Sequence, residues 1–398
     1  MSSEFNTKIY NLEQQFTDLE EAVNKRRTII EQKINKEVFK DLPFENYDYS
    51  KVIGQCCENV VGYIQIPVGI AGPILIDGIN YMLPLATTEG TLVASTSRGA
   101  KVITLSGGCV TEIINNGMTR TPVITSDSVK GSVAIKNYCV DNFLEIKSIF
   151  ESTSNYAKLL EIKSTIVGKH IYLRFKATTG DAMGMNMVGK GTHQCLQFIL
   201  NAFPNARLVS LSGNMCVDKK ASALNWIEGR GKTVVCECII KKDIIENVLK
   251  TTVDQMVELN YLKNMVGSSI AGTIGGNNAH AANIVTAMFI ACGQDIAQNI
   301  ESSNCMTLME FVNQDLYVSV TMPSLEVGTI GGGTHLSSQS AMLDLLGVKG
   351  VNAKEPGKNA ELLARIISAG VLAGELSLIA ALSTNELIEA HMKYNRKT

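Results

Sequence analysis

At 398 residues, 45% hydrophobic and 19% charged, the chain is long enough for two or three domains and has the composition of a water-soluble globular protein. A formal net charge of -2 offers no electrostatic footprint for nucleic acid or an anionic membrane. Ten cysteines form no CxxC pair, and most lie in apolar runs such as 234–240, so they are expected to be buried thiols in a reducing compartment, with neither disulfides nor a zinc site.

Residues 1 to about 40 are polar and mixed in charge, unlike a signal peptide. Leu12, Phe16, Leu19 and Val23 recur at helical spacing there, which predicts an amphipathic helix packed on a domain or a partner subunit. From Glu58 the chain turns apolar and glycine-rich.

The most legible architecture lies between Thr121 and Ser212. A short strand over 122–125 precedes a long helical pattern over 128–151, with Val129, Val133, Ala134, Cys139, Phe143 and Ile146 as its apolar points. Strands over 158–166 and 170–178 follow, joined by the turn 167–169; the second alternates with period two. A helix over 181–202 and a strand over 206–212 complete the order β-α-β-β-α-β. The expected fold class is therefore α+β. A helical N-terminal segment (1–57) leads into a large mixed helix/sheet domain (58–121 and 213–398), into which a small ferredoxin-like domain (122–212) is inserted.

Beyond Gly213 a strand pair is expected near 233–240. Helical patterns cover 244–259, 278–292, 337–346 and 360–390, and glycine clusters fall at 272–276 and 328–333. The stretch 362–382 is membrane-like in composition but is broken by Arg365 and Glu375, so it reads as a buried helix rich in small residues.

Chemistry-bearing candidates stand out against this frame. Glu89, flanked by small and apolar residues, suits a general acid whose pKa is raised by lost hydration; it equally suits a helix start capped by Thr87 or Thr88. No GxGxxG or Walker loop occurs. The segment Asp181 to Met187 (with Met183, Gly184, Met185 and Asn186) offers either a phosphate-holding helix start with a soft methionine wall or an ordinary core helix. Lys219 and Lys220 follow Ser212 and Asn214; they are either solvated or one of them faces a bound oxyanion. Asp295 ends an apolar helix and would need a partner if buried. His280 orients a neighbour or satisfies a core hydrogen bond. His391 is either a helix-end residue or part of a closing tail. No cysteine has the setting of a nucleophile, which removes a cysteine acyltransferase from consideration.

Taken together, these blocks resemble one family from about Arg26 to the last residue. They are 58–62 (Glu-Asn-Val-Val-Gly), 67–73, the segment around Glu89, 180–187, 212–220, 293–295, 328–334 and His391-Met392. The family is 3-hydroxy-3-methylglutaryl-CoA reductase in its class I (eukaryotic and archaeal) form. The resemblance implies a four-electron reduction of hydroxymethylglutaryl-CoA to mevalonate and CoA for isoprenoid and sterol precursor synthesis. Two NADPH are spent per turnover, mevaldyl-CoA and mevaldehyde are intermediates, and no metal takes part.

It implies catalytic roles for Lys219 on the thioester oxyanion, Glu89 as proton donor, Asp295 as the link between them, and His391 as acid to the departing thiolate. By the same resemblance Arg120, Ser212, Asn214, Lys220, Lys263, His280 and Asn283 hold substrate. Glu58, Arg98 and Lys101 lie toward CoA and the dimer contact. Asp181, Met183, Gly184, Met185, Asn186, Met187, Gly331, Gly332 and Gly333 contact the cofactor. The resemblance implies a homodimer at minimum, with a shared site, and often a tetramer.

Three departures from the family pattern stand out. Asn155 replaces an arginine expected near the cofactor 2′-phosphate, Lys397 takes the place of a regulatory serine, and no membrane region precedes the match. The expectation is a cytoplasmic, natively soluble member or a catalytic fragment of a parent anchored in the endoplasmic reticulum. The competing functions are NAD-linked oxidation of mevalonate in the reverse sense and a non-catalytic CoA-binding homologue.

Overall fold

The computed structural model describes residues 9–384, so His391 lies outside the described residues. The first α-helix, α1 (Leu19–Ile34), is shorter than its pattern suggested. Asp18 caps it by accepting the Glu20 N–H at 2.9 Å, and Asn35 ends it in a left-handed conformation. Leu12 sits instead in a separate 3₁₀ turn. The buried face of α1 carries Arg26 and Arg27 beside Ala22 and Val23. Their guanidinium groups donate to the carbonyls of Val60 (2.8 Å) and Val61 (2.7 Å), which docks the helix on its own chain.

Strands β1 (Val68–Ile76) and β2 (Ile79–Ala86) form an antiparallel hairpin, followed by α2 (Leu92–Leu105). Next come β3 (Val110–Arg120), β4 (Val123–Thr125), α3 (Val129–Asp141), α4 (Phe143–Glu151), β5 (Lys158–Val167), β6 (His170–Thr178), α5 (Met185–Ala202) and β7 (Arg207–Ser210). The four strands β7-β4-β6-β5 are antiparallel neighbours in that order, the 4-1-3-2 arrangement of a ferredoxin-like sheet. Their helices enclose a core of their own around Ile124, Ile135, Phe150, Phe175 and Ile199.

The long helix expected over 128–151 is two helices, because Asn142 leaves helical geometry at φ -106°, ψ 24° and stands at the boundary between them. Val129, Val133 and Ala134, expected to face the core, are exposed; Ser132, Ile135 and Cys139 take that face.

The small unit is not detached from the rest. Strand β3 pairs with β8 (Gly231–Ile240) over most of its length, then hands its last residues, Met118 to Arg120, to β6. Beyond β8 come β9 (Gly276–Asn277), α6 (Ala281–Ala291), β10 (Cys305–Val312), β11 (Asp315–Leu325) and α7 (Lys358–Ser383). The sheet runs on through β8-β11-β10-β9, so β8 pairs with β3 and β11 where a local pair was expected. The pattern over 244–259 breaks where Lys250 turns left-handed and Thr252 caps a new helix at Val253.

Helix α7 is long and apolar enough to cross a membrane, yet its apolar window is mostly buried inside the fold. Its 26 residues run through the larger core, and small side chains let it approach its neighbours: a Cβ on Gly99 of α2 would lie 1.9 Å from the Ala373 carbonyl oxygen. Eight cysteines are buried as expected, and burial pushes thiols such as Cys139 and Cys292 up to about 12. Cys56 and Cys57 depart from the expectation and are exposed.

Candidate active site

Lys219 sits in a turn after β7 with its backbone left-handed, at φ +59°. Its N–H donates to Glu301 Oε1 at 2.7 Å, and its Nζ lies 2.9 Å from Asp295 Oδ2. Asp295 opens a 3₁₀ turn over Ile296–Gln298, where its Oδ1 accepts the Ala297 N–H at 3.1 Å, leaving Oδ2 for the lysine. The hydrogen bond that the ammonium donates to Asp295 raises the Lys219 pKa and outweighs the opposing effect of partial burial. The ammonium is thus kept protonated while remaining within reach of a ligand.

This pair faces a cavity of about 820 Å³. Arg120 lines it, with Met183 to Met187 on one wall and Gly331 to Gly333 on another. Gly184 opens α5 at φ +101°, where a Cβ would stand 2.2 Å from Thr179, so glycine is required there. The amide of Gln294 spans two loops, donating to the Gly328 carbonyl and accepting the Gly328 N–H, both at 2.9 Å. That pairing fixes the glycine loop against the Asp295 turn. A start of α5 lined by methionines beside a glycine loop suits an anionic, flat-ringed ligand.

Glu89 belongs to a different cavity, of about 240 Å³, shared with Thr87, Asn283 and Ile66. Its Oε1 accepts from Asn283 Nδ2 at 3.1 Å. Asn283 Nδ2 also lies 3.3 Å from His280 Nδ1, to which it donates when that ring nitrogen carries no proton. The expected helix cap is not present: α2 starts at Leu92 after Thr91, and Thr87 Oγ1 instead accepts the Glu89 N–H in a local turn. Within one chain Glu89 is exposed, not stripped of water as its neighbours suggested. The residues expected to be catalytic thus fall, within one chain, in two separate groups, Lys219 with Asp295 and Glu89 with Asn283 and His280.

The remaining candidates divide. Asp181 is buried and is not among the residues lining the Lys219 cavity; its carboxylate accepts the N–H groups of Asn352 (2.9 Å) and Ala360 (3.1 Å), anchoring the first turn of α7. Arg98 ties α2 to α7 through Ser377, with Nε 3.0 Å from its hydroxyl and Nη2 2.8 Å from its carbonyl. Ser212, Asn214 and Lys220 lie on the Lys219 loop and are exposed; Lys220 Nζ donates to the Asp218 carbonyl at 3.1 Å. Lys263 lies on the helical turn Tyr261–Gly267, away from both cavity linings. Glu58, Lys101 and Asn155 are exposed and line neither cavity.

The sequence reading did not find Arg230. Fully buried, it sits among Asp218, Glu301 and Glu326 at 3.0, 3.3 and 2.5 Å. Those three carboxylates are close enough to suggest a cation site, but the guanidinium already supplies the positive charge. Burial pushes Glu326 well up and Glu301 up. Burial also acts to raise Asp218, but the Gln298 amide, Arg230 and Lys219 leave it lowered.

An ammonium held by a carboxylate in a glycine- and methionine-lined cavity, on an α+β scaffold with a ferredoxin-like unit, is an arrangement able to stabilise an oxyanion beside a flat ligand. The family model described as hydroxymethylglutaryl-coenzyme A reductase matches residues 22–396, and the chain belongs to that family. It is 58% identical over 362 residues to 3-hydroxy-3-methylglutaryl-coenzyme A reductase 2 of Dictyostelium discoideum, covering 90% of this chain and 69% of that one. It is 54% identical over 393 residues to the reductase of Catharanthus roseus, covering 98% of this chain and 65% of that one. The chain thus spans about two thirds of the length of these relatives.

Among solved structures, the Streptococcus pneumoniae reductase shares the fold, with a TM-score of 0.65 at 19% identity over 96% of this chain and 87% of that one. A class II form from the same organism, described as bound to NADPH in open conformations, also has a TM-score of 0.65 at 19% identity, over 82% of this chain and 78% of that one.

Proposed function

We propose that this chain reduces 3-hydroxy-3-methylglutaryl-CoA to mevalonate, consuming two NADPH and two protons and releasing CoA and two NADP⁺. The observation that carries the reading is the Lys219–Asp295 pair facing the large cavity. Hydride addition to a thioester carbonyl places negative charge on oxygen, and an ammonium already in position stabilises that charge without reorganising. NADPH would lie along Met183 to Met187 and Gly331 to Gly333, with its phosphates near the start of α5. Arg120, in the same cavity, is placed for the substrate.

Glu89 would supply the proton for the aldehyde step, with Asn283 and His280 orienting it. That Glu89 and Lys219 line separate cavities supports a complete site assembled from two chains, Glu89 of one meeting Lys219 of the other, with a homodimer or a tetramer built from it as the working unit. His391 would protonate the departing thiolate, which otherwise re-adds to mevaldehyde. The buried free thiols fit a reducing, cytosolic setting.

Purified protein given hydroxymethylglutaryl-CoA should oxidise two NADPH per thioester, read by nicotinamide absorbance. Absence of turnover with either NADPH or NADH, forward or reverse, would refute the reading.

A further inference from the structure

The loop that carries Lys219 is strained. Asn214, Val217 and Lys219 all have left-handed backbones, with φ of 64°, 49° and 59°, although none is glycine. Such a loop keeps its shape only if its surroundings hold it. Asn225 Nδ2 holds the Val217 carbonyl at 2.8 Å. Asp218 Oδ1 accepts from Arg230 Nη1 and Gln298 Nε2, both at 3.0 Å, and Gln298 belongs to the turn that Asp295 opens. Glu301 Oε1 accepts the Lys219 N–H itself. Arg230 Nη1 bridges Asp218, Glu301 and Glu326, and its Nε donates to Thr119 Oγ1 on β3 at 3.1 Å. Arg230 and Glu301 are both fully buried, so this grip is shielded from water.

We infer that Glu301, gripped by Arg230, is a positioning residue that fixes the left-handed backbone of Lys219 and so aims its ammonium at Asp295 and the cavity. Glu301 does not itself face the cavity and touches no substrate. It acts through the direction of one lysine side chain, and the inference rests on the reductase reading only for its effect on turnover.

Two measurements test the positioning without substrate. The Lys219 amide in the wild-type protein should exchange with deuterium at least about a hundredfold more slowly than that of Lys220, because it ends on a buried carboxylate. Glu301→Met fills the space but accepts at most a weak hydrogen bond, so Lys219 should separate from Asp295 and hold its proton less tightly. Its acylation by acetic anhydride should then rise about threefold or more relative to Lys241, which keeps its own partner Asp315. Glu301→Gln retains an acceptor oxygen and should keep wild-type labelling.

In the reductase assay Glu301→Met should lose about tenfold or more in kcat with KM for NADPH within about twofold, and Glu301→Gln should restore most of kcat. Amide exchange at Lys219 equal to that at Lys220 overturns the inference. So does a folded Glu301→Met protein with unchanged labelling and kcat. If the methionine variant does not fold, the exchange rate decides. A wild-type protein that shows the protected amide but no reductase activity would refute the function and leave the positioning standing.

Discussion

Lys219 Nζ and Asp295 Oδ2 stand 2.9 Å apart, although 76 positions separate them in the chain (295 − 219). The side chains are partly exposed, at 43% and 36%, so the pair is reachable from the cavity and contributes little to stability. Its value is chemical: the aspartate keeps a proton on the lysine at a place where an oxyanion would form.

That arrangement predicts how activity responds to pH. The Lys219 pKa is raised, so the ammonium persists as pH climbs and is lost only on passing the raised value. Asp295→Asn removes the largest cause of the shift. The alkaline limb of its kcat profile should move to lower pH, with kcat reduced at neutral pH as well. An alkaline limb unmoved in the variant would mean that another group sets it.

Glu375 tests how the segment beside Glu89 is held. Buried within α7, it accepts the N–H groups of Ala279 and His280 at 2.7 Å each and the Thr307 hydroxyl at 2.8 Å. Glu375→Ala leaves two amides at the start of α6 without an acceptor, which should cost about 3 kcal/mol in urea unfolding. Glu375→Gln, which preserves one acceptor oxygen, should lose less. An alanine variant as stable as wild type would show that water replaces the carboxylate at no cost.

Gly99 predicts the tightness of the core. An added Cβ meets the Ala373 carbonyl oxygen at 1.9 Å, and a backbone atom cannot rotate aside. Alanine's better helix propensity returns only about 1 kcal/mol. Separation of α2 from α7 should dominate, giving Gly99→Ala a net loss of about 2 kcal/mol or more in thermal or urea unfolding. Because Arg98 joins the same two helices through Ser377, the loss should be accompanied by weaker protection of α2 amides.

Much of this fold is legible from local pattern. The strand over 170–178 alternates in sequence, and its apolar residues Ile171, Leu173, Phe175 and Ala177 are buried, although Arg174 and Lys176 between them are buried as well; the turn before it contains Gly168 at φ +59°. Helix α7 is visible because its apolar run is long, and its burial follows from the charges that interrupt it. The Asn142 break is not visible, since the apolar spacing on each side continues as though one helix crossed it. Among candidate residues, Lys219, Asp295 and Arg120 do meet at one cavity, but Asp181 turns out to anchor a helix. Arg230 with Glu301 and Glu326 was beyond reach. Their pairing spans 71 and 96 positions, and a buried arginine has no signature of its own until the sheet brings its carboxylates together.

The separation of Glu89 from Lys219 makes the strongest prediction about assembly. If each site takes Glu89 from one chain and Lys219 from its partner, Glu89→Gln and Lys219→Ala homodimers should both be inactive. A mixed dimer then holds one site with both defects and one with none. Random reassortment makes half of the dimers mixed, and half of their sites are intact, so mixing equal amounts should restore about a quarter of wild-type activity. If the two residues served the same site from one chain, every site would carry one defect in any mixture. Activity would then stay at the level of the parent variants. The measurement is NADPH oxidation after co-unfolding and refolding of the two variants, with wild-type protein treated the same way as the reference. Recovery of activity assigns Glu89 to the neighbouring chain's Lys219, whereas no recovery from fully reassorted dimers places both groups within one chain.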